Sequence, residues 1–423
     1  PPPSSSSSSS FSSSSSSSSS STAPSSTIPF SHRASTDADK YTNNAIQNCL
    51  ANLSSLLPSS MTWSAFMQRS LGAKQTYTDA LQGQGLHGAL LRSDCDAVFA
   101  LHNNTVLMSD GSNEGVHAHP MVNFVQLLAA LRRRFPHTPI PDVYLHFSSG
   151  DTNWCGNQRP ERMCLSSSAA GCSRTLVLPI HDNQVLSPPR LTYFRGLQKK
   201  SKQKVPFRQR SMKAVWHGGN VGHLKIQQWF ENHLNTLHNR TDANRLKETL
   251  RQTLVRIATG SNVVNASFTK TNMDDWFNYQ IWLSIDGFSY SGNLPEALLS
   301  GSVMMRPNHE VSWQWYEPLM QPYVHFVPVA YNLSDLFQQI HWVHSHQSEA
   351  SKIAENAAEF AKSILFNTDI TACYSILALR EVATYQQHFM TEFLRRQIWD
   401  RQFDVTKIGG NWKKIVRSYV PPV

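Results

Sequence analysis

The stretch from Tyr279 to Met305 constrains the fold more than any other part of this chain. Tyr279-Gln-Ile-Trp-Leu-Ser-Ile285 is aromatic and β-branched, the composition of a buried strand. Small polar residues follow, with Gly287 and Gly292, and these let a ligand approach the backbone closely. Asn293 is placed to cap a helix with Pro295 in its first turn. Glu296, three residues after Asn293, completes the pattern of a capping box. Gly301 then turns the chain into the apolar run Val303-Met-Met305. A strand, polar turn, helix, tight turn and strand in this order belong to an open α/β sheet. A helix beginning just past a strand aims N–H groups at the ligand crevice, which suits phosphate. The expectation is a nucleotide-phosphate site, set against the plainer reading that such turns occur in every α/β domain.

The rest of the chain extends that pattern. It has 423 residues, enough for two cores. Residues 1–38 form a Ser- and Pro-rich tract with almost no large apolar residues, which reads as a disordered linker or stalk, open to O-glycosylation. A helix is expected within 41–75, a hairpin around Asn103-Asn104, a helix from Pro120 to Arg134 and a strand over Val143–Phe147. Residues 195–212 read as a basic connector, which divides the chain into domains at 39–208 and 209–423. In the second, strands at 213–216, 279–285, 303–305 and 324–328 alternate with helices over 223–237, 242–257, 294–300, 333–346, 348–364 and 371–400. Such alternation implies parallel, doubly wound sheets.

Charge and cysteine usage narrow the partners. The net charge is +9, with basic clusters at Arg132–Arg134, Lys199–Lys204 and Arg208–Lys213. Nucleic acid is one reading of these clusters, a solvated loop another, and steering of a nucleotide diphosphate a third. No run of eighteen apolar residues spans a membrane. The chain opens on Pro without an apolar signal core, as expected of a processed or trimmed form. Sequons at Asn52, Asn103, Asn239, Asn265 and Asn332, with six Cys and no Cys-x-x-Cys pair, point to a lumenal protein with disulfides rather than a zinc ribbon. Asp94-Cys-Asp96 could be taken for a manganese site, and His341, His344 and His346 share a predicted helix; neither set is completed by further ligands nearby.

The Asp286–Ser302 stretch is followed in order by Pro318-Leu319, Pro322-Tyr-Val-His-Phe-Val-Pro328, Leu333-Ser-Asp-Leu336, Trp342, Ala350, Ile353-Ala354, Phe360 and Asp369-Ile-Thr-Ala-Cys-Tyr374. Together these resemble the CAP10-like glycosyltransferases of family 90, densely over 210–385 and more thinly over 140–190. The resemblance implies a GT-B-like architecture, two Rossmann-type domains facing a cleft, with C-terminal helices packing back on the N-terminal domain. It also implies a disulfide between Cys49 and Cys373, leaving Cys95, Cys155, Cys164 and Cys172 in any of three pairings.

Sugar transfer to a hydroxyl needs a base, a stabiliser for the departing diphosphate, and exclusion of water. Asp151 lies just beyond the strand that follows Asp142, where α/β sheets bind ligands, and the resemblance implies it is the base; otherwise it closes a Gly-Asp turn. The diphosphate is expected at Trp216, His217, Gly218, Gly219, Asn220 and Lys225, and at Asp286, Gly287, Ser289, Ser291, Gly292 and Asn293. Here the chain departs from its family. His217, Asn220 and Asn293 stand where cationic residues are expected. Lys225, Arg208 and Arg210 are the candidates to replace them.

The expected function is therefore transfer of glucose or xylose, with inversion, from a UDP-sugar substrate to a protein or glycan hydroxyl, without metal or other cofactor, in the secretory lumen or outside the cell. One alternative is a degenerate member that binds sugar nucleotide or glycoprotein without turnover. The other is a basic nucleic-acid-binding protein.

Overall fold

The structure, a computed structural model, describes residues 37–57, 59, 61–63, 65–66, 97–110, 118–147, 164–166, 175–179, 188–202, 205–222, 224–237, 246–287, 291–308, 314–386 and 401–404. The Ser-rich segment, Asp94, Asp96, Cys95, Cys155, Cys172, Asp151, Asn239 and Ser289 lie outside the described residues.

The second half of the chain follows its hydrophobic periods closely. Strands β6 (Ser211–His217), β7 (Val264–Ser267), β8 (Tyr279–Leu283), β9 (Val303–Pro307) and β10 (Val327–Val329) form a wholly parallel sheet in the order β10-β9-β8-β6-β7. Alternate residues face opposite ways, as the two-residue period requires. Ala214, Trp216, Ile281, Leu283, Val303 and Met305 join one core with helices α5 (Leu250–Ala258) and α8 (Leu336–Ser345). Val215, Trp282 and Met304 join the other with α7 (Leu294–Leu299) and α10 (Thr368–Gln386). The sheet is thus covered on both faces, as parallel sheets are. From β6 the chain adds β7 on one side and then β8, β9 and β10 on the other, so the order reverses between β6 and β8. In open α/β sheets ligands bind outside the carboxyl ends of the strands at such a switch point.

The first sheet corrects the expectation of two parallel sheets. Its order is β11-β2-β1-β3-β4-β5, and only β3 (Val143–Phe147), β4 (Cys164–Ser166) and β5 (Thr175–Val177) run parallel. Strands β1 (Ala97–His102) and β2 (Thr105–Asp110) form a hairpin whose turn residues, Asn103 and Asn104, have φ of 49° and 61°. A two-residue turn with both φ positive can only fold the chain back antiparallel. Strand β11 (Arg401–Asp404) returns from the far end of the chain to pair with β2.

The basic connector is also corrected. Helix α3 (Pro188–Lys202) takes in its first part, 195–202, because Phe194 and Leu197, one turn apart, bury an apolar stripe among the lysines and arginines. Helix α1 (Asp37–Leu56), shorter than the region expected to be helical, lies against α10, where Cys49 and Cys373 are bonded with their Cα atoms 5.1 Å apart. Helix α10 also packs on α2 (Ala118–Arg134) and β3, and the Gln386 side chain pairs with both backbone groups of Tyr144 at 2.8 and 2.6 Å. Among the described residues no helix is long and apolar enough to cross a membrane.

Candidate active site

The switch point is built from two turns and the start of two helices. After β6 the chain runs through Gly218, Gly219 and Asn220 into α4 (Leu224–Leu237). Gly218 is required there, because a Cβ at that position would stand 2.8 Å from the ring of Trp216. The Gly218 N–H donates to Ser267 O at 3.2 Å and His217 Nδ1 pairs with Ser267 Oγ at 2.8 Å, so this turn is clamped to the end of β7. Burial lowers the pKa of His217, and a hydrogen bond to the Thr269 backbone opposes that only in part. The imidazole is therefore held toward its neutral form. Asn220 is exposed, as is Lys225 in the first turn of α4.

The second turn, beyond β8, starts with Asp286 and Gly287, both buried. Gln227, buried on α4, donates to Gly287 O at 3.1 Å and accepts from Leu250 N–H at 2.9 Å. It ties this turn to the start of α5.

Arg251 joins the two turns. It stands in the first turn of α5, which is capped by a reciprocal Thr249–Gln252 box. Its Nη1 donates to Gly219 O at 3.2 Å, while Nε and Nη2 donate to Ile285 O at 3.3 and 3.2 Å. The guanidinium lies over Trp216, 5.5 Å from the ring centroid. Burial lowers its pKa and the nearby Asp286 carboxylate raises it; an arginine stays charged throughout. Of its five N–H groups, three are engaged with carbonyls, and two remain to meet a ligand. The buried Asp286 carboxylate thus favours the charge on Arg251. It also acts on Arg306, whose buried pair with Glu317 spans 3.0 Å.

Arg251 was not among the candidates. It lies in no motif, though one signal was available: a cation in the first turn of a helix is placed against the helix dipole, and so is better explained by a partner outside the helix.

Several expected features take other forms. The capping box at Asn293 does not form. Asn293 Oδ1 accepts from Ser291 Oγ at 2.6 Å, and Glu296 turns inward, where Tyr193 OH donates to its Oε1 at 3.4 Å. Nor does α7 offer a strong anion site. It has six residues, its first N–H donates to Ser291 O, and Pro295 has none. Gly292 is exposed beside it. Arg210 and Arg208 do not reach the switch point. They precede β6, at the opposite edge of the sheet. Arg210 is buried and donates to Val205 O, Ser300 O and Ser302 Oγ, and Arg208 donates to Ser348 Oγ. Desolvation lowers the pKa of Arg210, whose task is to tie the strand's entry to the turn after α7.

His344 pairs with Met212 O and His346 with Trp342 O, and among the described residues no group of three or more His, Cys, Asp or Glu is placed to hold a metal ion. Of the sequons, Asn103 is exposed at the hairpin tip and Asn52 on α1, whereas Asn265 Nδ2 is engaged with Tyr279 OH at 2.8 Å.

Comparison with known proteins bears on this geometry. The model of glycosyl transferase family 90 matches residues 190–401, half of the chain, including both turns and Arg251. Protein O-glucosyltransferase 2 of Danio rerio is 33% identical over 100 residues, which are 24% of this chain and 20% of that protein. Protein O-glucosyltransferase 3 of Homo sapiens is 29% identical over 112 residues, 26% of this chain and 22% of the relative. Protein O-glucosyltransferase 1 of Homo sapiens is 27% identical over 128 residues, 30% and 31% respectively. The matches thus span between a fifth and a third of the length of these relatives. A solved glycosyltransferase of Rickettsia africae ESF-5 aligns over 68% of this chain and 85% of its own, at 11% identity and a TM-score of 0.30. With the family model spanning half the chain and centred on the parallel sheet, the protein belongs to glycosyl transferase family 90.

Proposed function

We propose that this protein transfers a glucose or xylose unit from a UDP-sugar to a hydroxyl of a protein or glycan, with inversion and without a metal ion. The observation that carries the reading is the cradle at the switch point, where Arg251 is held by Gly219 O and Ile285 O with two N–H groups to spare. Bound there, a diphosphate takes charge-assisted hydrogen bonds from Arg251 and the field of Lys225. Asp151 removes the acceptor proton. As the acceptor oxygen forms its bond to the anomeric carbon, the bond from that carbon to the phosphate oxygen breaks. The electron pair leaves on the diphosphate, where Arg251 stabilises it. The two sheets facing each other in a GT-B-like manner shield the donor from water. The sequons and the disulfide suit the secretory lumen.

A second reading, a member that binds without turnover, is favoured by the neutral tendency of His217 and by the engagement of Asn293 with Ser291.

Calorimetry with UDP and transfer assays across a donor panel separate the two. The wild type is expected to bind UDP, and Arg251→Met to weaken binding by about 1.5–3 kcal/mol. Asp151→Asn should keep UDP binding and slow transfer by about a hundredfold or more. Chelation by EDTA should leave the rate unchanged. Absence of wild-type binding at about millimolar UDP overturns the transferase reading. Binding without transfer to any donor–acceptor pair supports the second.

A further inference from the structure

A cavity of about 240 Å³ opens beside the switch point, past the carboxyl ends of β9 and β10 and against α4. Glu231 lies in its wall with 3% of its surface exposed. One carboxylate oxygen, Oε2, accepts from Leu246 N–H at 2.8 Å; the other, Oε1, is buried and accepts no hydrogen bond. The Asn332 side chain stands close enough to the carboxylate to favour its ionised form, while burial favours the neutral form more strongly. A buried acceptor without a donor is costly unless something else supplies the donor.

The remaining wall says what that donor belongs to. Asp335 adds a second carboxylate, and Asn235, Asn308 and Gln339 add amides. Among the described residues no Lys or Arg lines the cavity, so a phosphate would meet two carboxylates and no cation from them. Asp335 already accepts from Ala330 N–H and Gln339 Nε2, so the amides left to meet a ligand are those of Asn235 and Asn308; an ammonium, which donates only, is a poor fit to them. Hydroxyl groups donate and accept, and so satisfy both. Tyr323 is 46% exposed at the rim, its ring edge-on to Trp342 with centroids 5.3 Å apart and its OH donating to Gln339 Oε1 at 3.3 Å. An aromatic rim, carboxylates and amides match the two sides of a sugar ring, its C–H face and its hydroxyl edge. The volume holds one ring and falls below the roughly 300 Å³ at which drug-sized pockets begin.

We propose that this cavity is a monosaccharide subsite, in which Glu231 Oε1 accepts a hydroxyl of one sugar ring and Tyr323 covers its C–H face. The buried hydroxyl of Tyr331 feels both Asp286 and Glu231, so the subsite adjoins the diphosphate cradle. Strands lie about 4.8 Å apart, which places the ring about 5–10 Å from the carboxyl end of β8. That reach suits the sugar of the donor and equally a sugar of a glycan acceptor. Only this question of origin rests on the transferase reading.

The test titrates the full chain by NMR with methyl glycosides of glucose, xylose, galactose and mannose up to about 50 mM, the weak-binding range for one ring. At least one is expected to bind, with Glu231→Gln weakening it about tenfold or more. Because Glu231 also anchors Leu246, Asn235→Phe, which fills the cavity from its rim, provides a second variant and should abolish binding. If the subsite serves the donor, UDP-glucose displaces the glycoside and binds tighter than UDP by a margin that Glu231→Gln removes. If it serves the acceptor, the glycoside still binds protein saturated with UDP-glucose. Glycoside binding without UDP binding overturns the transferase reading and leaves the subsite standing. UDP binding with no glycoside bound, or equal glycoside binding in both variants, overturns the subsite.

Discussion

A single imidazole illustrates how this site handles charge. His217 replaces a cation of the family pattern, and burial keeps its pKa below the ordinary 6.5. At neutral pH it would bring no charge to a diphosphate, and in the proposed reading Arg251 carries that task. As pH falls below about 6.5 the unfolded chain takes up the proton before the folded one does, so the contribution of His217 to stability is present above that value and is lost toward its folded pKa. A bound diphosphate reverses the preference, because the protonated ring then has a partner. UDP should therefore bind the wild type progressively better than His217→Asn as pH is lowered from about 7.5 to 5.5, with the two proteins alike at the upper end. Comparison with the variant removes the effect of the phosphate's own titration. Parallel curves from the two proteins would take His217 out of the site.

At the scale of elements, the two glycines after β6 and β8 are needed for different reasons. A Cβ on Gly218 meets the ring of Trp216, which is 1% exposed and packed in the sheet's core, so it cannot retreat. Gly218→Ala should destabilise the fold by about 1–3 kcal/mol, the cost of overpacking, read from urea midpoints. A Cβ on Gly287 meets Arg251, with Nη2 at 2.9 Å and Cζ at 3.0 Å. That is the far end of a long side chain, and it can swing away. Gly287→Ala should leave the urea midpoint nearly unchanged while weakening UDP binding about tenfold, since Arg251 leaves the cradle. A large loss of stability with intact UDP affinity would show that Arg251 serves the fold alone.

At the scale of the molecule, segments from early and late in the described chain close on each other. Cys49 and Cys373, 324 positions apart, join α1 to α10, and β11 pairs with β2 from still further along. Crosslinking so long a loop stabilises the fold by roughly 4–5 kcal/mol in the chain-entropy model. Replacing both cysteines with Ala should lower the thermal midpoint by roughly 8–20 °C, at about 2–4 °C per kcal/mol as in chains of 150–250 residues, while UDP affinity of the folded protein stays the same. Peptide mapping without reduction that finds Cys373 free would refute the crosslink.

Much of this architecture was legible in the sequence, because its cause is local and periodic. The apolar, β-branched and aromatic runs in Tyr279–Ile285 and Val303–Met305 mark strands with two buried faces, and Asn103-Asn104 marks the hairpin. Where the reading failed, a second local pattern lay under the first, as with the Phe194 and Leu197 stripe under the charges of α3. Asp151 and Ser289, outside the described residues, still rest on their spacing in the chain. The cradle itself was not legible. Arg251 is placed by carbonyls of Gly219 and Ile285, 32 and 34 residues away, and the cavity by Glu231, whose neighbours come from α4, β9 and β10. Every residue offers a carbonyl, so such partners leave no trace in residue type. The sequence determined which segments become strands and helices, because burial periodicity is written in side chains. Only the tertiary structure decided which cation reaches the switch point, because that depends on which backbone groups folding brings within hydrogen-bonding distance.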